Sequence, residues 1–318
     1  MFFITPKKLR SIGIMGMNAR NRAYITPNNP RKLYPLVDDK LETKKLAKKF
    51  AGVSVPKLYG VIETVRDVKR LIPTIIEKYD DFVIKPSKGS GGRGILVIVG
   101  KTPNGYIKAN GEEITHREIF THVTNILSGL YSLGGQLDKA MIEYRVQFSD
   151  IFKDVSYQGI PDVRLIIYKG YPVMGMLRLA TKESDGKANL HQGAIGAGID
   201  ITTGLTMGGV CKDRYLSVHP DTGFNIDGIQ IPDWTHILEI SASCFEMTGM
   251  GYIGADIVLD SDIGPLILEL NARPGLAIQI ANRVGLRKRL DAVDRVCHET
   301  RTVAERVQWS IKEFAPTK

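Results

Sequence analysis

The chain has few cysteines, no long apolar run and none of the short signatures that mark covalent catalysis, and each shortage excludes a class of protein. Cys211, Cys244 and Cys297 are scattered, odd in number and without C-x-x-C spacing. That argues against a disulfide framework or structural zinc and fits a reducing cytosol. Nowhere does the sequence approach the run of about 20 apolar residues that crosses a bilayer. The first segment, Met1 to Arg20, sets Lys7, Lys8 and Arg10 after only a short apolar patch and does not read as a secretory signal. A cytoplasmic protein without a membrane span is therefore expected. Neither G-x-S-x-G nor a Cys/His nucleophile pattern occurs, which disfavours covalent enzyme catalysis. Internal repeats and low-complexity linkers are also missing.

What is present suits an ordinary globular protein. A length of 318 residues, with 43% hydrophobic and 24% charged residues, is enough for one large or two modest domains. The net charge of +9 has two readings. One is a solvated basic surface, such as Lys44, Lys45, Lys48 and Lys49 on one helix. The other is attraction of a polyanion: a nucleotide triphosphate, an acidic substrate or nucleic acid. Nucleic acid is the weakest of these, because the basic residues are not clustered with aromatics and no helix-turn-helix, zinc finger or RNA-binding signature occurs.

Residues 1–36 are rich in Arg, Asn and Pro and read as an irregular arm. A helix follows, with Asp38 or Asp39 as N-cap, an apolar face of Leu41, Leu46, Ala47 and Phe50, and Gly52 as its stop. A second helix runs from about Glu63 to Tyr79, on the helical spacing of Val65, Val68, Leu71, Ile72, Ile75 and Ile76. Next come a strand at 82–85, a glycine-rich loop, a strand at 95–99 and a helix within 115–133. From Met141 the pattern turns to β, with apolar segments at 163–168, 173–179, 253–259 and 265–270. Helices near 234–248 and from about 287 to 314 interrupt it. The chain is of the α+β class.

The glycine loop reads K-P-S-K-G-S-G-G-R-G from Lys85 to Gly94. Small residues free backbone N–H groups to approach phosphate oxygens, and Lys88 and Arg93 add charge. P-loop and dinucleotide loops run from a strand into a helix. Here the β-branched run Ile95 to Val99 follows, so a strand–loop–strand flap is expected, a lid for phosphates rather than a P-loop. Lys85 ends an apolar strand, where an ammonium either reaches water or meets an anion. Lys40 opens a helix, where the dipole disfavours a cation unless an anion is near.

The strongest constellation lies in residues 254–275, G-A-D-I-V-L-D-S-D-I-G-P-L-I-L-E-L-N-A-R-P-G. Two apolar strands flank a turn at Ser261 to Gly264. A regular hairpin pairs Asp260 with Pro265, Val258 with Ile267, Asp256 with Glu269 and Gly254 with Asn271. Ala255, Ile257, Leu259, Leu266, Leu268 and Leu270 then share the core face. Two carboxylates side by side need an offset: a hard divalent cation with oxygen ligands, or else arginine or lysine. Two further stretches carry polar chemistry. D-V-R at Asp162 to Arg164 sets both charges on one strand face, as a functional or a surface pair. K-A-N-L-H-Q-G from Lys187 to Gly193 is a loop with several donors, in which His191 is either functional or structural.

Taken in order over about residues 37–285, these motifs resemble the ATP-grasp superfamily, in its glutamate-ligase branch related to the ribosomal-protein modification ligase. The set is the early Lys40, V-I-K-P with the flap, I-E-Y, D-V-R, K-A-N-L-H-Q-G, G-A-D-I-V and L-E-L-N-A-R-P-G. The resemblance implies an α+β ATP-grasp fold whose two lobes clasp ATP, a flap lobe at about 80–142 and a metal-site lobe at about 143–318. Lys40, Lys85 and the flap residues Ser90, Gly91 and Gly92 would contact the nucleotide phosphates. Glu143 and Tyr144 would form the adenine-side hinge, and Asp162, Lys187 and Asn189 would be further nucleotide contacts. Asp256, Glu269 and Asn271 would hold Mg²⁺, with Mn²⁺ as a substitute. Arg164 would stabilise an acyl phosphate and the tetrahedral species after it. Relatives often have a small residue where Arg273 stands; it would bind a substrate carboxylate or pair with a metal-site acid. Relatives also carry a full α/β domain before the lobes, where this chain has about 36 residues, so a partner chain or second copy is expected to complete the substrate pocket.

The activity implied is an ATP-dependent carbon–nitrogen ligase of the acid–amino-acid type, joining a carboxylate to an amine of an amino acid or peptide. A kinase-like phosphotransferase and a non-catalytic nucleotide-binding regulator are the competing readings.

Overall fold

The computed structural model describes residues 5–315 apart from Ser90, Ser149 and Asp213, with only the backbone of Leu133 and Asp150. The chain divides into two compact units. One, the flap lobe, comprises Asp39–Lys44 and Val55–Gln147; the larger lobe comprises Met1–Asp38, Lys45–Ser54 and Phe148–Lys318.

The flap lobe is an antiparallel six-stranded sheet with two helices. Its strands are β1 (Leu58–Ile62), β2 (Phe82–Pro86), β3 (Leu96–Thr102), β4 (Gly105–Lys108), β5 (Glu113–Thr115) and β6 (Ala140–Glu143), in the order β1-β6-β2-β3-β4-β5. The start of α1 (Lys40–Ala47) also belongs here, ahead of α2 (Val65–Lys78) and α3 (His116–Leu127). Thr64 with Asp67 and Thr115 with Glu118 close reciprocal capping boxes that fix where α2 and α3 begin. The 3.6-residue spacing of Val68, Ile72, Ile75 and Ile76, and of Ile119, Val123 and Ile126, gives each helix one apolar stripe. Both stripes meet Ile62, Phe82, Ile84, Ile98 and Ile142 of the sheet in a single core. The helix expected to run on to Gly52 stops at Ala47; Gly52 lies in a turn at φ +82°.

The larger lobe holds an antiparallel seven-stranded sheet. It is built from β7 (Asp162–Tyr168), β8 (Tyr171–Leu179), β9 (Ile195–Ile199), β10 (Thr206–Cys211), β11 (Arg214–Leu216), β12 (Tyr252–Asp260) and β13 (Gly264–Asn271), ordered β11-β10-β9-β8-β7-β12-β13. Helices α4 (Trp234–Thr248), α5 (Leu286–Val296) and α6 (Val303–Glu313) pack on it.

Both hairpins that matter for the site carry a bulge. Between β12 and β13 the pairs are Gly254–Asn271, Asp256–Glu269, Val258–Leu266 and Asp260–Gly264. The site half of the expected register holds. Leu268 is an extra residue, so Val258 faces Leu266 rather than Ile267, and Asp260 faces Gly264 rather than Pro265. Between β7 and β8 the two-residue turn Lys169-Gly170, at φ +49° and +80°, pairs Tyr168 with Tyr171, and Val173 is then the extra residue.

Residues 1–36 were expected to be an irregular arm; from Pro6 to Asp38 the chain instead forms a succession of short helical turns: Pro6–Ser11, Met17–Arg20, Asn21–Ile25, Thr26–Asn28, Arg31–Leu33 and Pro35–Asp38. Prolines and glycines keep each turn too short to show a period. Met15, Tyr24 and Ile25 are nevertheless buried with Ile166, Tyr168, Met174, Tyr252 and Leu290. Buried Asn29 fastens the segment to β12, donating to Tyr252 O at 2.7 Å and accepting from Tyr252 N at 2.9 Å. Asn29→Ala leaves both backbone groups without partners. It should cost about 2 kcal/mol or more, read as a lower urea midpoint at unchanged slope; an unchanged midpoint would show that the segment is not held by this contact.

Candidate functional site

In the flap lobe the site begins with a carboxylate enclosed by two ammoniums. Lys85 on β2 and Glu143 on the neighbouring β6 are buried, and Lys85 Nζ lies 2.5 Å from Glu143 Oε1. Lys44, one helical turn after Lys40 on α1, is also buried, with its Nζ 2.8 Å from Glu143 Oε2 and a hydrogen bond to the Pro56 carbonyl. Lys44 is thus not part of the solvated basic surface to which its charge run assigned it. Burial works to raise the Glu143 carboxyl, but Lys85 and Lys44 outweigh it and hold the group below the usual carboxylate range. Lys40 donates to the Gly89 carbonyl at 2.7 Å, tying the start of α1 to the root of the flap. The Tyr144 amide donates to Lys57 O at 2.8 Å, and the Glu143 carboxylate serves the two lysines, so within this lobe both expected hinge groups are engaged.

The flap itself is pinned at both roots. Asp138 accepts from the Lys88 amide at 3.1 Å and from the Ser132 hydroxyl. At the other root a Cβ on Gly94 would come within 2.5 Å of Tyr131, so only glycine lets the loop lie down there. Between the roots, Gly91 and Gly92 take φ +64° and +75°, the left-handed region that glycine enters without steric cost. Ser90 lies outside the described residues.

In the larger lobe four charged side chains neutralise one another on adjacent strands. Arg164 on β7 faces Asp256 on β12 and grips both of its oxygens, the Nη2–Oδ2 contact at 2.6 Å. Arg178 on β8 faces Asp162 on β7 and holds it at 2.5 and 2.7 Å, with a further bond to Asp256 Oδ2 at 2.8 Å. Asp162 thus pairs with Arg178 rather than with Arg164, its partner in the surface-pair reading. Burial works to raise the Asp256 carboxyl, yet Arg164 and Arg178 hold it low. Burial raises Asp162, and Arg178 with a weaker contribution from Arg164, set against the nearby Asp256 charge, does not bring it back. Asn271 Nδ2 lies 3.3 Å from Asp256 Oδ2, and half-buried Glu269 stands opposite Asp256.

Two carboxylates and an amide oxygen from one strand pair are the hard donors that Mg²⁺ takes. Both Asp256 oxygens, however, already face guanidiniums, and among the described residues no group of three His, Cys, Asp or Glu side chains could hold a metal. The set therefore fits a cation that brings anionic oxygens of its own, as a nucleotide-bound Mg²⁺ does, and not a bare ion. The remaining expected residues make local contacts. Lys187 pairs with Asp185 at 3.1 Å, Asn189 Oδ1 caps the turn at His191, and Arg273 stacks over Tyr34 at 5.0 Å.

The family model for sugar-transfer associated ATP-grasp proteins matches residues 19–295. The chain belongs to that family. Its fold, two antiparallel sheets with helices, is the ATP-grasp fold. No curated protein matches it in sequence. Among solved structures it is similar to the ATP-grasp ligase PsnB complexed with a minimal precursor (14% identity, TM-score 0.46, covering 84% of this chain and 63% of that one). It is also similar to the D-alanine–D-alanine ligase from Bacillus anthracis (14%, 0.46, 89% and 67%) and to D-cycloserine synthetase DcsG (13%, 0.45, 90% and 73%). The chain thus spans 63% of the length of PsnB and 67% of that of the B. anthracis ligase.

Two members of these charged clusters escape a reading of the sequence. Arg178 would fall on the opposite face of β8 in a regular hairpin, since the Lys169-Gly170 turn sets Leu177 against Asp162; the bulge at Val173 brings Arg178 round instead. Lys44 had a usable signal in its i,i+4 spacing from Lys40, which puts both ammoniums on one side of α1.

Glu143→Gln should expose the dependence of the flap lobe on its carboxylate, because it removes the charge that two buried ammoniums face. The cost should be about 3–5 kcal/mol near neutral pH. Because the folded carboxyl is held low, its contribution is present above the unfolded value of 4.5 and is lost as pH falls below it. The gap between wild type and variant should therefore narrow in acid. Urea titrations at several pH values test this; a gap that stays constant from pH 7 to pH 3 would be inconsistent with it.

Proposed function

We propose that this chain is an ATP-dependent carboxylate–amine ligase that forms an amide bond through an acyl phosphate, with glutamate, another amino acid or a peptide as substrate. The buried Asp162–Arg178–Asp256–Arg164 array carries the reading: two guanidiniums, held in fixed geometry beside two carboxylates and an amide, with no protein nucleophile in the set. Phosphoryl transfer needs positioning and charge neutralisation more than a covalent partner.

In this reading a substrate carboxylate oxygen attacks the γ-phosphorus of ATP and ADP leaves. The amine then attacks the acyl carbon, phosphate leaves, and the amine gives up its proton. Lys85, beside Glu143, receives phosphate oxygens, and Lys40 with the amides of Gly91 and Gly92 covers them. Lys187 and Asn189 belong to the same proposed nucleotide set. Arg164 and Arg178 meet the oxyanions that appear only along the reaction path. Mg²⁺, or Mn²⁺ in its place, would be held by Asp256, Glu269 and Asn271 and would neutralise the phosphoryl oxygens.

Arg164→Lys keeps the buried charge but loses the planar fork. It should bind ATP within a few-fold of wild type and lose turnover on the order of a hundredfold, the scale of one oxyanion contact. A purely structural Arg164 would give the opposite pattern, a lower melting temperature with turnover little changed. Glu269→Gln should fold normally and lose turnover, because a hard anionic ligand is gone while the shape is kept.

The reaction class is decided by a screen of carboxylates and amines for phosphate release with ATP, followed by hydroxylamine trapping. A hydroxamate that forms only with ATP and the correct carboxylate is expected. A stable phosphorylated product without hydroxamate would make the chain a phosphotransferase instead, and nucleotide binding without any turnover would make it a regulator.

A further inference from the structure

The larger lobe buries a guanidinium that no carboxylate answers. Arg20, at the end of the Met17–Arg20 turn, is only 5% exposed. It donates to Asn21 Oδ1 at 3.0 and 2.9 Å and to the carbonyl of Pro274. Among the described residues no carboxylate stands within ion-pair distance of it. Arg164, Arg178 and Arg306 of the same lobe each face one. Burial above all, together with the charge of Arg273, lowers the Arg20 pKa. A charge withdrawn from water without a counter-ion costs several kcal/mol, roughly the scale at which proteins otherwise discard it.

Three further observations surround this group. Tyr252, on the strand that leads into Gly254, is fully buried, and its hydroxyl has no hydrogen-bond partner among the described residues. Arg273, next to Pro274, is exposed over Tyr34 and has no carboxylate partner among the described residues either. The turn that carries both positions lies against the site: a Cβ on Gly254 would meet Pro274 Cβ at 2.6 Å and Arg164 Cδ at 3.5 Å. By contrast, the three cations that line the cleft of about 540 Å³, Lys169, Arg301 and Arg306, are each already paired, with Asp294, Glu299 and Glu246.

We propose that Arg20 and Arg273, with the Tyr252 hydroxyl, bind a carboxylate of the substrate beside Arg164, the group that stays unreacted while another carboxylate or an amine undergoes the chemistry. This assignment rests on the ligase reading. The planar forks of two arginines match a carboxylate in two directions, and the hydroxyl supplies a further donor to the same oxygens. Bound anion is the missing counter-ion, so the binding energy of an unreacting group is recovered from a charge the free protein holds at a cost. Arg273 guides the anion at the surface and Arg20 takes it at depth.

The test uses the full chain and thermal melts with acetate, glutarate and inorganic phosphate as probes, at constant ionic strength and without nucleotide. Glutarate should raise the melting temperature of the wild type saturably. Arg20→Met should melt at or above the unliganded wild type, since an uncompensated charge is replaced by an apolar side chain of similar length, and should weaken glutarate at least tenfold. Arg273→Ala should weaken it about tenfold at unchanged unliganded melting temperature. Arg20→Met that melts several degrees lower with glutarate affinity intact would make Arg20 a strut for the turn and overturn the assignment, as would a wild type that does not respond to glutarate. If Arg20→Met does not fold, Arg273→Ala and Tyr252→Phe decide, and unchanged glutarate affinity in both overturns it. Phosphate bound more tightly than either carboxylate overturns the carboxylate class. ATP binding to the wild type is measured separately: its absence would sink the ligase reading, whereas a missing glutarate response with ATP binding intact would sink only this inference.

Discussion

Everything in the larger lobe is arranged around the need to neutralise charge that has been taken out of water. Asp162, Arg164, Arg178 and Asp256 are all buried or nearly so, and none of them could be so alone. Their mutual pairing requires β8, β7 and β12 to lie side by side in one register, and that register sets Glu269 and Asn271 beside Asp256. The bulges at Val173 and Leu268 serve this arrangement. Each inserts one residue, and the first of them turns Arg178 from the far face of β8 onto the face that needs it.

The flap lobe solves the same problem with a smaller cluster. Glu143 sits between Lys44 and Lys85, so each buried ammonium there faces a carboxylate. The charge on Lys85, puzzling at the end of an apolar strand, makes sense when read together with Glu143 rather than alone.

Much of this was readable in the residues. Helices α2, α3 and α4 and the strands flanking the β12–β13 turn follow from periodicity and caps, because their local preferences and their burial agree. The pairing of Asp256 with Glu269 was also readable, though by an instructive route. A regular hairpin anchored at Asp260 and Pro265 leads to it, whereas the real turn pairs Asp260 with Gly264 and the bulge at Leu268 restores the count. An error of one residue at the turn and an unseen bulge cancel at the site. No such cancellation protected Arg178, because a bulge leaves no mark in an alternating apolar strand. Residues 5–38 were opaque for another reason. Their order comes from single buried side chains, Met15, Tyr24 and Ile25, and from Asn29 reaching the backbone of β12, and none of these has a period.

The ion pairs of the array also constrain what the site can do. Arg164 spends its fork on Asp256, and Arg178 divides its own between Asp162 and Asp256. An oxyanion arriving from a substrate must compete with aspartate for the same donors, and a cation taking Asp256 must compete with guanidinium. Neither exchange is favourable alone, since each leaves a buried charge unpaired. Made together they would conserve the pairing, with Asp256 released to help hold a metal and the arginines released to face substrate oxygens. A neutral array of this kind resists a bare cation or a lone anion, and under the proposed ligase reading nucleotide-borne Mg²⁺ and a developing acyl phosphate would arrive in combination. Arg20 obeys the complementary rule. It has no aspartate to give up, so an anion can be accepted there without any exchange, which suits the part of a substrate that must be held throughout and not the part that reacts.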